Sequence, residues 1–244
     1  MIQVRDLTKQ FGPVTAVRCL SFDAPDGTIT GLLGSNGAGK TTALRMIAGI
    51  LTPDGGSVRV DDTTLEANGV GVQKRIGALL DHAGFYPRLT ARENLAYFGA
   101  LRGIPAPALA ERVDQVLSTL GLTAIADRRT AGFSQGERMK VALGRAMIHA
   151  PTHVLLDEPT NGLDVPTVRS LRLLLRQLRD RGTCIVFSSH VLGEVEELCD
   201  RAVVIAKGSV TAEGTLDQVR CRTSSHTLED AFIKLTNTPN GAPC

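Results

Sequence analysis

The sequence predicts an α/β fold built on a mainly parallel sheet, and three observations carry that prediction. Short β-rich runs recur along the 244 residues, helical patterns separate them, and one long strand-poor block interrupts the alternation. Strands that alternate with helices are joined by crossovers, and crossovers make the strands parallel neighbours.

The strand-like runs fall at residues 28–33, 57–60, 75–80, 153–156, 183–188 and 202–206. Several are apolar at successive positions, as a strand covered on both faces must be. Between them, apolar residues repeat at helical spacing, as in Val113, Val116, Leu117 and Leu120, and again in Leu171, Leu174, Leu175 and Leu178. From residue 82 to 149 the strand signal vanishes, and helical patterns broken by Gly103-Ile104-Pro105-Ala106-Pro107 replace it. We therefore expect one domain over 1–235, with an α/β core of residues 1–81 and 150–235 and a helical subdomain at 82–149. The remainder, 236–244, reads as a disordered tail.

An apolar fraction of 43% is enough to close a sizeable core. The 27 basic and 25 acidic residues leave a net charge of +2, which predicts neither a nucleic-acid binder nor a strongly acidic partner. Cys19, Cys184, Cys199, Cys221 and Cys244 form no CxxC pair, so we expect reduced thiols in a reducing compartment. No run approaches the roughly 20 apolar residues that cross a bilayer, and MIQVRDLTKQF lacks a signal-peptide pattern, so a membrane role would run through a partner.

Chemistry concentrates at strand ends. Gly34-Ser35-Asn36-Gly37-Ala38-Gly39-Lys40-Thr41 matches the pattern G-x-x-x-x-G-K-[ST], between a strand ending at Leu33 and a helical run from Thr42 to Ala48. Glycines let the backbone wrap an anion while successive N–H groups face its phosphates. Lys40 would reach the β- and γ-phosphates of a nucleoside triphosphate, and the Thr41 hydroxyl would ligate Mg2+.

The apolar run from His153 ends in Asp157 and Glu158, at the sheet edge where α/β proteins bind ligands. Asp157 is expected in the Mg2+ shell, and Glu158 as general base for an attacking water. Asp164 suits the N-cap of a helix opened by Pro166. His190 follows the next strand, where an imidazole could touch the γ-phosphate or the water; position alone leaves a structural role open.

Two further patterns have simpler readings. His149 and His153 are four apart, but Pro151 between them breaks the helical face that a metal pair would need. Arg169, Arg172, Arg176, Arg179 and Arg181 lie opposite the Leu171 stripe and read as a solvated helix face, answered by Glu194, Glu196 and Glu197. Phe133-Ser134-Gln135-Gly136-Glu137 is harder to place, because a hydroxyl residue opening a long helix resembles a second anion site far from the first.

Taken together, GSNGAGKT, FSQGE, LLDEP, NGLD and the position of His190 resemble the ATP-binding subunit of an ABC transporter, from Val4 to Leu235. The resemblance implies a RecA-like P-loop NTPase core with an N-terminal antiparallel β part and an inserted helical subdomain. It implies that FSQGE is the signature motif, whose Ser134, Gln135 and Gly136 bind ATP held by a second subunit. It implies that Phe11 stacks on adenine, that residues 34–41 and Thr42 hold ATP, that Asp164 faces the dimer interface, and that His190 is the switch histidine. The cofactors implied are ATP and Mg2+.

The sequence departs from the family pattern in three places. Gln135 and Glu137 stand where LSGGQ has glycine and glutamine, and Asp81 occupies the position of the glutamine expected to reach Mg2+ and the membrane partner. The segments at 83–90 and 228–235 resemble the sodium-efflux and drug-resistance branch of exporters. This implies an integral membrane transporter subunit as partner, a homodimer or a pair with a related ATPase subunit, and a peripheral place on the cytoplasmic face of the cell membrane. A soluble ATPase acting on nucleic acid or ribosomes is the alternative; such proteins need a long coiled-coil insertion or tandem units, for which 244 residues leave no room. A P-loop kinase or GTPase would leave FSQGE and NGLD unexplained.

Overall fold

The computed structural model of the protein describes residues 1–80 and 85–237. β1 (Ile2–Phe11) and β2 (Val14–Ala24) form a hairpin, and β3 (Ile29–Leu33) feeds the glycine-rich loop into α1 (Lys40–Ile47). β4 (Gly55–Val60) and β5 (Thr63–Thr64) precede α2 (Leu65–Arg75) and β6 (Ile76–Leu79). α3 (Ala91–Leu101), α4 (Ala106–Thr119) and α5 (Gln135–Met147) come next, followed by β7 (His153–Asp157), α6 (Val165–Asp180), β8 (Cys184–Ser189) and α7 (Leu192–Leu198). β9 (Arg201–Ala206), β10 (Ser209–Thr215), α8 (Leu216–Arg222) and α9 (Leu228–Asn237) complete the chain order.

Five of the six strands expected from sequence lie side by side. The larger sheet runs β10-β9-β3-β8-β7-β6, parallel from β9 to β6, with β10 antiparallel at one edge. The sixth, at 57–60, belongs instead to an antiparallel sheet ordered β2-β1-β4-β5, where Val58 and Val60 oppose Val4 and Ile2. The fold is thus the mainly parallel α/β core with an antiparallel β part that the family resemblance implies.

The apolar runs of the central strands serve two cores. On β8, Cys184 and Val186 join Leu32, Leu44, Ile47 and the antiparallel sheet, whereas Ile185 and Phe187 join Leu156, Leu175 and the helical block. Successive side chains of a strand point to opposite faces, so a strand covered on both must be apolar throughout. At roughly 25 cal/mol per Å2 of apolar surface removed from water, this double burial is the main force holding the sheet.

In the helical block, α3 opens on Thr90 and Glu93, which close a reciprocal capping box. Fully buried Asn94 accepts from the Tyr86 amide at 2.8 Å and donates to the carbonyls of Tyr86 and Thr90 at 3.1 and 2.9 Å. It fastens the segment that enters α3 to the helix itself.

Some expectations are corrected. Thr236 and Asn237 belong to α9, so the expected tail begins too early; residues 238–244 lie outside the described residues. Cys184, Cys199 and Cys221 carry free thiols. Asp81 lies outside the described residues.

Candidate functional site

The carboxyl ends of β3, β7 and β8 meet along one edge of the sheet, where Leu33 pairs with Ser189 and Asp157 with Ser188. The glycine-rich loop leaves β3 there and ends at Gly39, the N-cap of α1, with φ 104°. That conformation suits glycine alone, and a Cβ at this position would also come within 2.5 Å of the Ala16 carbonyl. The turn directs the following Lys40 inward. Only 6% of Lys40 is exposed, and its ammonium donates to the carbonyls of Gly34 at 2.7 Å and Ser35 at 3.2 Å.

An open cleft of about 410 Å3 lies along this loop. Asn36, Gly37, Ala38, Gly39, Lys40, Thr41 and Thr42 form one wall, Glu158, Asn161 and His190 another, and half-exposed Phe11 stands at the rim. A buried cation, a helix N-terminus and an aromatic face in one cleft suit a polyanion that carries a flat ring.

Opposite the loop, β7 ends in Asp157, and Glu158 adopts φ 47°, the left-handed region that costs a non-glycine residue about 1–2 kcal/mol. Ser188 holds this corner: its hydroxyl donates to Asp157 Oδ1 at 2.5 Å and accepts from the Glu158 amide at 3.0 Å. The Glu158 carboxylate then lies 3.4 Å from Lys40 Nζ and accepts from His190 Nδ1 at 2.8 Å. Lys40, Glu158 and His190, remote in sequence, are thus one polar cluster. Ser188 was not singled out by sequence reasoning; two serines ending a buried strand were its only signal.

Ser134, Gln135 and Gly136 stand elsewhere; among the described residues none of them lines this cleft. Ser134 is the N-cap of α5. Its hydroxyl accepts from the Glu137 amide at 3.2 Å, and the Glu137 carboxylate accepts from the Ser134 amide at 2.7 Å. The departure at Glu137 is therefore a capping-box residue, a role that Glu or Gln can fill. Gln135 donates through Nε2 to the Asn161 carbonyl at 3.2 Å. Asp164 caps α6, accepting from the Thr167 amide at 3.1 Å, and hydrogen bonds from the Thr167 hydroxyl and amide hold its carboxyl below the usual carboxylate range. The heads of α5 and α6 abut, since a Cβ on Gly136 would come within 3.0 Å of Thr167 Oγ1.

The two histidines rejected as a metal pair have separate partners. His149 Nε2 donates to the Ile76 carbonyl at 3.1 Å. His153 Nε2 lies 3.0 Å from the Met1 amino group, which also contacts Asp26 and Asp61. Asp26, His153 and Cys184 place possible metal-ligand atoms within 4.8 Å of one another, but the Met1 ammonium already pairs with Asp26 at that spot. On α6, Arg172 and Arg176 bind the Glu197 carboxylate and carbonyl respectively, and Arg179 pairs with Asp180 and Asp200. Among the described residues, no helix is long and apolar enough to cross a membrane.

Known proteins resemble this chain along nearly its whole length. The sequence profile of the family described as ABC transporter matches residues 17–161. The ABC transporter ATP-binding protein NatA of Bacillus subtilis (strain 168) is 40% identical over 238 residues, covering 96% of this chain and 97% of NatA. The linearmycin resistance ATP-binding protein LnrL of the same organism is 34% identical over 236 residues, covering 97% of this chain and 75% of LnrL. Among solved structures, the dimeric structure of a bacterial ABC transporter cassette superposes with a TM-score of 0.80 at 25% identity, covering 88% of this chain and 99% of the cassette.

Proposed function

The chain belongs to the ABC transporter family as an ATP-binding, ATP-hydrolysing subunit, and from that membership we propose which residues perform the work and in which assembly. Lys40, with the amides of residues 34–41 and Thr42, binds the phosphates of ATP, and Phe11 stacks on its base. The Thr41 hydroxyl and the Asp157 carboxylate are oxygen donors of the kind Mg2+ accepts; Thr41 lies at the start of the helix after the loop that leaves β3, and Asp157 ends β7, with β8 between the two strands at the same edge of the sheet. When bound, the ion would offset negative charge on the β- and γ-phosphates. Glu158 takes a proton from the attacking water, and His190, whose Nδ1 donates to Glu158, orients that carboxylate and faces the γ-phosphate.

The single observation that carries this reading is the Lys40–Glu158–His190 cluster in the cleft of the glycine-rich loop. It joins a phosphate-binding cation to a candidate base and its positioning partner.

Ser134 and Gly136 stand outside that cleft, so they serve the ATP of a second subunit. Two chains close around two ATP molecules, and hydrolysis reopens them, which drives a separate integral membrane subunit. The second ATPase subunit is either an identical copy or a close relative. The chain then lies peripherally on the cytoplasmic face of the membrane. Kinship with a relative named for linearmycin resistance supports export as the direction.

The experiment is Glu158→Gln in the full chain with ATP and Mg2+. Turnover should fall at least 100-fold while a nucleotide-loaded dimer accumulates on a sizing column. Normal turnover would remove Glu158 as the base, and a monomer at saturating ATP would remove the shared-nucleotide assembly.

A further inference from the structure

The second position of the signature segment does work that its place in the motif does not announce. Gln135 opens α5, and its Nε2 donates to the carbonyl of Asn161, 26 residues along the chain, at 3.2 Å. Asn161 walls the phosphate cleft, and its amide donates to the Glu158 carbonyl at 3.1 Å, closing the turn that follows the candidate base. A second turn overlaps the first, with the Leu163 amide donating to the Thr160 carbonyl at 3.1 Å. Gln135 therefore grips a two-turn loop at its middle.

An independent observation concerns the same contact. Gly162 sits at φ 72°, and a Cβ there would come within 2.4 Å of Gln135 Nε2. The loop is shaped to admit the glutamine amide. A glycine at position 135 would have no side chain with which to make this bond.

Glu158 is sensitive to such a grip. Its φ of 47° lies in a sparsely populated region that only surrounding contacts can maintain. Ser188 holds the amide side of the residue, at 3.0 Å, and the turn to Asn161 holds its carbonyl side.

We propose that Gln135 is a positioning residue for Glu158 of its own chain, so that the segment presented to the second subunit's ATP also sets the base beside the first. This rests on the ATPase reading above. It makes the signature helix a mechanical link between the two nucleotides: a shift of α5 on meeting the second subunit's phosphate moves Asn161 and, through it, Glu158.

The test uses the full chain carrying Gln135→Met, which keeps length but removes the donor, and Gln135→Lys, which restores an N–H donor at similar reach. Steady-state kcat and KM for ATP are measured, together with the ATP concentration that half-saturates dimer formation in a Glu158→Gln background. We expect Gln135→Met to lower kcat three- to tenfold with KM and the half-saturating concentration within twofold, and Gln135→Lys to recover at least half of the lost rate. A purely structural role would not produce that split or that rescue. The proposal is overturned if KM and the half-saturating concentration rise together while kcat holds, because Gln135 would then bind the second subunit's nucleotide directly. It is also overturned if Gln135→Met matches the unaltered chain in every measurement. Turnover by the unaltered chain and dimer trapping by Glu158→Gln alone report on the ATPase reading separately.

Discussion

Ser134 and Glu137 satisfy each other at the head of α5: the serine hydroxyl takes the glutamate amide at 3.2 Å, and the glutamate carboxylate takes the serine amide at 2.7 Å. The carboxylate thus sits at the positive end of a 13-residue helix, where an anion is favoured. This is also where the γ-phosphate of a second subunit's ATP is proposed to dock. One negative group stabilises the helix and opposes the other.

Glu137→Gln should separate the two effects, since glutamine keeps the capping box without the charge. The ATP concentration for half-maximal dimer formation should fall about two- to fivefold at low salt, and the difference should shrink as salt screens the charge. Glu137→Ala, which loses the box, should lower unfolding stability in urea by about 1 kcal/mol.

Lys40→Ala removes the buried ammonium of the glycine-rich loop. A hydrogen bond to a charged group is worth about 1.5–3 kcal/mol, so ATP affinity should weaken by about 10- to 100-fold. Equilibrium binding of a fluorescent ATP analogue measures this directly, and unchanged affinity would remove Lys40 from the phosphate site.

Asn94→Ala leaves the amide of Tyr86 and the carbonyls of Tyr86 and Thr90 without a partner in a fully buried place. Loss of a buried hydrogen-bonded group of this kind costs about 2–3 kcal/mol, and urea unfolding should register it. Amide exchange should quicken first at residues 86–90, ahead of the central sheet.

His149 makes stability depend on acidity. Burial, then the positive charges of Arg102 and Arg112, lower its pKa from the ordinary 6.5 to about 4. Its Nε2 donates to Ile76, while its buried Nδ1 has no hydrogen-bond partner among the described residues, so a proton added there would be stranded. Between those pKa values the unfolded chain binds the proton and the folded chain does not. The contribution is therefore complete above pH 6.5 and is lost as the pH falls toward 4. After allowance for partial solvent screening it amounts to roughly 1–2 kcal/mol. Urea titrations at pH 7 and pH 5 should show this loss, and His149→Gln should flatten it.

What could be read in the sequence was whatever is contiguous. Residues 34–41 carry their own turn, helix start and cation, and β7 announces itself as an apolar run ending in Asp157 and Glu158. Ser134 and Glu137 were equally local, three positions apart, yet their reciprocal cap was hidden by reading Glu137 only as a departure from a motif. The antiparallel strands were harder for a physical reason. On β1 the alternation breaks between Val4 and Leu7, where the pairing with β2 shifts register and Asp6 takes φ 50°. Contacts such as Lys40 with Glu158, or Gln135 with Asn161, depend on the crossovers that bring distant strand ends together, and no local pattern records them.

The left-handed backbone at Glu158 has a practical consequence for anyone engineering this protein. Asparagine is at home in that region, and it would relieve much of the conformational cost while removing the group proposed to activate water. A campaign that selects only for heat tolerance or soluble yield would therefore drift toward well-behaved proteins that no longer consume fuel, and position 158 is where such a screen would first mislead.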